Sequence, residues 1–100
     1  MYVVVSATHK SGRVQSGSEV QLAFADYLQS HPGHPDVVVH NAGPTHDEDF
    51  NTPVGFLLVV EASSLDSVRA FIADSPYGKA DTLAETDIRT WDWRTGRPGD

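Results

Sequence analysis

The order of two hydrophobic periodicities along the chain constrains its fold most. Apolar and β-branched runs typical of strands cover residues 2–7, 36–42 and 54–60, and a partly alternating run covers residues 86–93. Apolar residues at helical spacing lie between the first and second runs, and again between the third and fourth. The sequence therefore predicts a β-α-β unit followed by a second β-α-β unit.

Capping and stop signals bound the two predicted helices. Ser18 caps the first helix, and Ser63 or Ser64 caps the second. Pro76 and Gly78 stop the second helix. The apolar stripes that face the core are expected to be Val20, Ala23, Phe24, Tyr27 and Leu28 in the first helix, and Leu65, Val68, Phe71 and Ile72 in the second.

Two β-α-β units that interleave their strands form one four-stranded antiparallel sheet with both helices on the same face. We therefore predict a ferredoxin-like α+β fold, as a single domain over residues 1–94 with a loose polar tail at residues 95–100. The sequence provides nothing to cover the other face of the sheet. Its apolar residues must meet a ligand or a second copy, and we therefore expect a homodimer.

Charge and cysteine content exclude several classes of function. Lys and Arg number 7 and Asp and Glu 14, so the net charge is −7 at pH 7, which argues against nucleic-acid binding and against a polybasic membrane-surface protein. No apolar segment reaches the ~18 residues of a membrane span, and the N-terminus lacks the basic region of a signal peptide. The expected location is therefore the cytoplasm. The absence of Cys removes disulfides, thiolate metal sites and cysteine nucleophiles.

Histidine is the side chain best suited to acid–base chemistry near neutral pH, with an Asp to orient it. His9, His40 and His46 lie near strand ends or beside the loop that follows the second run, where a pocket rim forms, and they are the candidate catalytic histidines. Each has an ordinary solvated or hydrogen-bonded structural role as its alternative. His31 and His34 lie in a Pro-Gly turn and are expected to be exposed.

Asp74 is a further candidate catalytic residue. It lies at the predicted end of the second helix, where a negative charge is unfavourable beside the helix dipole, so we expect solvent or a cationic partner such as a protonated His to compensate it. Tyr77 is a candidate for holding a substrate oxygen, with a packing role as the alternative. Trp91 and Trp93 share one side of the predicted last strand and are expected to pack in the dimer or in a pocket wall.

Cofactor and metal motifs are missing from the sequence. There is no Gly-rich phosphate loop and no His-x-x-x-His helix, so we predict neither a cofactor nor a metal site. The expected partner is a small-molecule substrate.

Several short stretches carry a family resemblance. They are Ala-Gly-Pro at 42–44, Gly-Phe at 55–56 with Glu-Ala-Ser-Ser-Leu-Asp at 61–66, and Ala-Asp-Ser-Pro-Tyr at 73–77 with Ile-Arg-Thr-Trp at 88–91. In this order and spacing the chain resembles the YCII-related family of small dimeric α/β-barrel proteins. The resemblance implies a ferredoxin-like fold, dimerisation through the sheet face, a pocket between sheet and helices, and a His/Asp acid–base dyad.

The chain departs from the family at both positions of that dyad. The family's helix His falls near Phe24 here, and its Asp before the Pro is replaced by Ser75, with Asp74 one residue earlier. Ser75 and Tyr77 are taken as candidate substrate-binding residues. One type of family member removes chloride from a chlorinated hydroxyhydroquinone, and others resemble muconolactone isomerases in shape.

These observations predict a cofactor-independent acid–base lyase or isomerase, dehydrochlorinase-like in one form, that acts on a small cyclic or aromatic-derived substrate. One candidate His moves a proton, Asp74 orients that His, and Tyr77 holds an oxygen. The alternative is a non-catalytic small-ligand-binding or accessory domain on the same dimeric scaffold, which the missing helix His favours.

Overall fold

The computed structural model describes residues 1–11 and 14–99. The elements are β1 (Tyr2–His9), α1 (Glu19–Gln29), β2 (Val38–His46), β3 (Pro53–Glu61), α2 (Leu65–Ala73), α3 (Pro76–Lys79) and β4 (Leu83–Thr90). The strands pair antiparallel in the order β2-β3-β1-β4, which confirms the predicted ferredoxin-like arrangement. Asp100, at the end of the predicted tail, lies outside the described residues. Within the described chain, no helix is long and apolar enough to cross a membrane.

The core lies between the sheet and the helices, because every second residue of the central strands points towards the helices. In β1 these residues are Val3, Val5 and Ala7, and they pair with Val60, Leu58 and Phe56 of β3. From α2, the predicted stripe residues Val68, Phe71 and Ile72 are buried against this layer.

In α1, by contrast, only Phe24 is fully buried, and Ala23 is exposed, which corrects the prediction that it faces the core. Ala23 is one residue from Phe24, so it lies about 100° away around the helix, at the edge of the apolar stripe.

The caps of α1 and α2 follow the sequence prediction. The Oγ of Ser18 accepts a hydrogen bond from the backbone N–H of Gln21 at 3.4 Å. At α2 the cap is Ser64, whose Oγ accepts from the N–H of Ser67 at 3.1 Å, whereas Ser63 donates to Asp36. The choice left open by the sequence is therefore decided by the side chain that reaches the helix.

Two predicted strands and one stop signal differ from the structure. Residues 36–42 were expected as a strand, but β2 is Val38–His46, because an edge strand pairs through its backbone and needs no apolar pattern. The strand expected at 86–93 is Leu83–Thr90. Pro76 follows the end of α2, as predicted, but it is also the first residue of α3. Ser75 is the N-cap of this helix, and the fixed φ of Pro76 suits the first helical position.

The open face of the sheet, meaning the face opposite the helices, is partly covered by the chain itself. After β4 the backbone N–H of Trp91 donates to the carbonyl of Tyr2 at 2.9 Å, and the ring of Trp93 packs edge-on against Tyr2 at 5.2 Å. Trp91 and Trp93 stack on each other at 4.9 Å beyond the end of β4. The expectation that nothing covers this face is thus wrong at one end, while Leu57 remains 45% exposed on it.

Candidate active site in the cavity beside helix α1

A cavity of about 830 Å³ lies between α1, strand β2 and the adjoining side chains of β3 and α3. Its volume is in the range of pockets that hold small organic ligands. The walls are mainly apolar and aromatic, with Leu28, Val39 and Phe56 among them. The polar residues of the wall are Gln21, Gln29, His31, His40, Asn41 and Tyr77. Within the described chain, the wall includes no Asp, Glu, Lys or Arg.

Of the candidate histidines, His40 is itself a wall residue of the cavity, whereas His9 borders two wall residues, Tyr77 and Phe56. As the last residue of β1, His9 continues the inward alternation of the strand, and it is only 7% exposed. Its ring meets the ring of Tyr77 edge-on at a centroid distance of 4.4 Å and lies 6.1 Å from that of Phe56, and both of those residues line the cavity.

The surroundings of His9 favour its uncharged form. Burial lowers the pKa of His9, because the imidazolium loses its hydration. Its Nδ1 lies 3.2 Å from the Oγ1 of Thr82. Its Nε2 is buried and has no hydrogen-bond partner within the described residues. A buried imidazole nitrogen without a partner is unusual and can serve a ligand.

Tyr77 is brought to the cavity by the short helix α3. The hydroxyl of Ser75 accepts from the N–H of Gly78 at 3.1 Å, and any side chain at Gly78 would collide with the carbonyl oxygens of Ile72 and Ala73. The ring of Tyr77 stacks on Phe24 at 4.2 Å. Burial raises the pKa of Tyr77, so its phenol stays protonated and can donate a hydrogen bond.

Asp74 has a hydrogen-bonding partner at the helix end, and that partner is His34. The Nε2 of His34 lies 2.8 Å from the Oδ2 of Asp74. The side chain of His34 is 15% exposed and that of Asp74 is 59% exposed. The expectation that His34 is an exposed turn residue is therefore wrong, because its ring packs against Tyr27 and Phe71 at 6.4 and 5.7 Å.

His31, the other turn histidine, is also structural. Its Nδ1 lies 3.0 Å from the carbonyl oxygen of Tyr27 and its Nε2 2.8 Å from that of Val37. It thus links the end of α1 to the residue before β2. No local sequence pattern indicates this link, because it depends on how the turn folds back.

The other two candidate histidines lie away from His9. The Nε2 of His40 is 3.0 Å from the Oε1 of Glu61, and its ring packs edge-on against Tyr2 and Trp93 on the open face of the sheet. His46 stacks at 4.5 Å on Phe50 in the loop between β2 and β3. The three histidines therefore do not form one site, and only His9 contacts Tyr77.

Ser75 is fully buried, and its hydroxyl is engaged in the cap of α3. The Oγ donates to the carbonyl of Ile72 at 2.6 Å while it accepts from Gly78. Its assignment as a substrate-binding residue stays a prediction. In residues 1–11 and 14–99, no three His, Asp or Glu side chains are grouped so that they could hold a metal ion.

The fold and the cavity define a small ferredoxin-like α+β protein with space for a ligand between helix and sheet. Residues 1–92 match the model of the YCII-related domain, so the chain belongs to the YCII-related family, as its motifs predicted. No curated protein matches the chain.

The solved structures that are similar to the chain include two that cover more than nine tenths of it. One is the 5-chloro-2-hydroxyhydroquinone dehydrochlorinase TftG from Burkholderia phenoliruptrix AC1100 in complex with 2,5-dihydroxybenzoquinone, with a TM-score of 0.66 and 24% identity over 91% of this chain and 93% of that one. The other is the protein At3g17210 from Arabidopsis thaliana, with a TM-score of 0.53 and 14% identity over 94% and 95% of the two chains. At these identities the likeness shows the fold alone.

Proposed function

We propose that this protein is a cofactor-independent acid–base lyase or isomerase that converts a small cyclic or aromatic-derived substrate in the cavity beside α1. The observation that carries the proposal is the state of His9. It is a buried imidazole with a lowered pKa, its Nε2 has no partner within the described residues, and its ring touches the cavity residue Tyr77. A neutral imidazole held in this way is a suitable general base.

The reaction follows from the two side chains. His9 takes a proton from a substrate hydroxyl or from a carbon next to a carbonyl, and Tyr77 donates a hydrogen bond to the substrate oxygen. When the proton comes from carbon, the electron pair of the C–H bond forms a C=C bond and expels a leaving group such as chloride from the neighbouring sp³ carbon. In a chlorinated hydroquinone, His9 first moves one hydroxyl proton to the ring carbon that bears chlorine, which makes one C=O group. Loss of the second hydroxyl proton then forms the other C=O group and expels chloride. A proton and an anion are released, so no external oxidant or reductant takes part. In an isomerase, the same proton returns to another atom of the substrate.

The substrate class rests on the cavity and on a similar structure. The cavity walls offer aromatic and aliphatic surface to a flat ring, and Tyr77 is among their polar residues. The structure from Burkholderia phenoliruptrix is named as a dehydrochlorinase in complex with 2,5-dihydroxybenzoquinone, a ring with oxygen substituents. Loss of chloride from a chlorinated hydroquinone is therefore the first reaction to assay.

Access to His9 sets one condition on this reaction. Its Nε2 is buried, and the cavity residues in contact with its ring are Tyr77 and Phe56. Because Nε2 is buried, a substrate in the cavity reaches it only after a neighbouring side chain moves. Tyr77, which lies on the four-residue helix α3, is the ring that we expect to move.

A second candidate function is ligand binding without chemistry. Its supporting observation is that Asp74, expected to orient a catalytic His, pairs with His34 instead. Within the described chain, no carboxylate lines the cavity. A non-catalytic ligand-binding or accessory domain uses the same cavity but does not require a carboxylate in its wall.

The test is an assay of chloride release from 5-chloro-2-hydroxyhydroquinone by the wild type and by three variants, His9→Gln, His40→Gln and His46→Gln. The proposal predicts turnover by the wild type and a loss of about 10²–10⁴-fold in His9→Gln, larger than in the other two. Wild-type kcat in His9→Gln together with a loss in His40→Gln or His46→Gln would assign the reaction to another site. Binding of 2,5-dihydroxybenzoquinone without any turnover would favour the ligand-binding domain.

We also propose that the protein is a homodimer that joins through the open face of the sheet. On this face Leu57 is 45% exposed beside the half-buried Val4 and Val59. Burial of this apolar surface against a second copy would be favourable. Trp91, next to this face, is 39% exposed. The cytoplasmic location and the domain boundary at residue 94 stay predictions from the sequence.

A further inference from the structure

We propose that Thr82 is a positioning residue that holds the neutral imidazole of His9 in the tautomer with its proton on Nδ1. Nε2 is then the basic nitrogen, and the cavity selects ligands that bring an O–H or N–H donor to it, such as a phenol or an enol. The assignment of the tautomer depends on hydrogen bonds alone, while its consequence for catalysis rests on the proposed function.

The tautomer follows from counting the protons of one hydroxyl group. The Oγ1 of Thr82 lies 3.3 Å from the carbonyl oxygen of Tyr77, which can only accept. Thr82 therefore donates its single hydroxyl proton to that carbonyl. The same Oγ1 lies 3.2 Å from the Nδ1 of His9, so it must accept a hydrogen bond there. Nδ1 carries the proton, and in a neutral imidazole Nε2 is left with its lone pair.

The backbone fixes the Thr82 hydroxyl in this place. Thr82 is buried, its N–H donates to the carbonyl of Tyr77 at 3.1 Å, and its own carbonyl accepts from the N–H of Lys10 at 2.6 Å. Lys10 follows His9 directly, and its Nζ forms an ion pair with Asp81 at 2.8 Å. These contacts connect the turn before β4 to the end of β1. The hydroxyl of Thr82 links His9 to Tyr77, which lines the cavity.

The lone pair on Nε2 determines which ligand group is favoured. Nε2 is a buried acceptor without a donor among the described residues, and an acceptor left in this state is unfavourable. A ligand O–H supplies the missing donor and is at the same time the group that loses its proton in the proposed reaction. A ligand that brings only a carbonyl or an ether oxygen adds a second acceptor and gains nothing at this nitrogen.

The direct test is the ¹⁵N NMR spectrum of the His9 ring in the ligand-free protein above pH 7, for the wild type, Thr82→Val and Thr82→Ser. Val has nearly the shape of Thr without its hydroxyl, and Ser keeps the hydroxyl. We expect the wild type and Thr82→Ser to have pyrrole-type Nδ1 and pyridine-type Nε2, and Thr82→Val to move towards protonation on Nε2. A wild-type ring protonated on Nε2 overturns the proposal even if a variant fails to fold, as does an unchanged tautomer in Thr82→Val.

The consequence for the ligand is tested by the affinity of hydroquinone, whose hydroxyl groups stay protonated at pH 7, and of its dimethyl ether. We expect the wild type to bind the dihydroxy compound at least tenfold more tightly and Thr82→Val to lose most of this preference. Equal binding of both compounds by the wild type overturns the proposed selectivity. If the tautomer is found as expected but Thr82→Val keeps the wild-type kcat, the role of His9 as the base fails, and the tautomer assignment does not.

Discussion

Replacing Phe71 by alanine should lower the free energy of unfolding by about 3–5 kcal/mol. Phe71 is 0% exposed, and its ring lies 4.9 Å from the rings of both Tyr27 and His31. The lost burial accounts for roughly 1.5–3 kcal/mol. The cavity left behind adds roughly 2 kcal/mol, because the neighbours cannot close it. The hydroxyl of Tyr27 still donates to the backbone carbonyl of residue 71, at 2.7 Å in the wild type, and holds α1 at its distance from α2.

Urea unfolding followed by tryptophan fluorescence measures this loss as a lower midpoint with an unchanged slope. Leu22→Ala is the control on α1, because Leu22 is 59% exposed, and it should lose less than about 1 kcal/mol. If Phe71→Ala also loses less than about 1 kcal/mol, the ring is not part of the core and α2 is misplaced.

Three further predictions concern His9, the open face of the sheet and Asp74. Burial lowers the pKa of His9 from its ordinary 6.5, so the unfolded chain takes up its proton first as the pH falls. Stability therefore decreases below that pH by at most ~1.4 kcal/mol per pH unit and levels off below the lowered pKa. His9→Phe removes this component, and a stability difference from the wild type that stays constant from about pH 8 to about pH 5 would contradict it. Leu57→Glu should convert the dimer to a monomer in sedimentation experiments, and an unchanged mass would refute the proposed interface. Asp74→Asn should cost less than ~1 kcal/mol in urea unfolding, since the Asp74 side chain is 59% exposed even though that of His34 is 15% exposed; a greater loss would mean that the contact is better shielded from solvent than the exposure of Asp74 indicates.

The order of elements could be predicted from the sequence because hydrophobic periodicity is a local property. The alternation in β1 and the stripe of α2 identify which side chains face the core before any contact is known. The bounds of strand β2 differ from the prediction for the same reason, since residues 43–46 pair through their backbone at the edge of the sheet and carry no apolar pattern. The helix α3 is too short for a periodic pattern to reveal it.

The candidate site could be predicted only in part. The alternation Val3, Val5, Ala7 continues to His9, so the same rule that placed the strand could have singled out His9 as the inward-facing histidine. The pairing of His34 with Asp74 joins residues that are 40 positions apart, and no local pattern encodes it. The cavity likewise arises from the way in which α1 lies over β2, which is a property of the packed structure.

The measurement that tests the central claim most directly is an NMR pH titration of the His9 ring, without ligand and with 2,5-dihydroxybenzoquinone. The account predicts that His9 titrates below its ordinary pKa of 6.5 and that its resonances and titration change when the compound binds. A His9 that titrates at its ordinary value and does not respond to the compound would contradict the assignment of His9 as the buried base of this cavity.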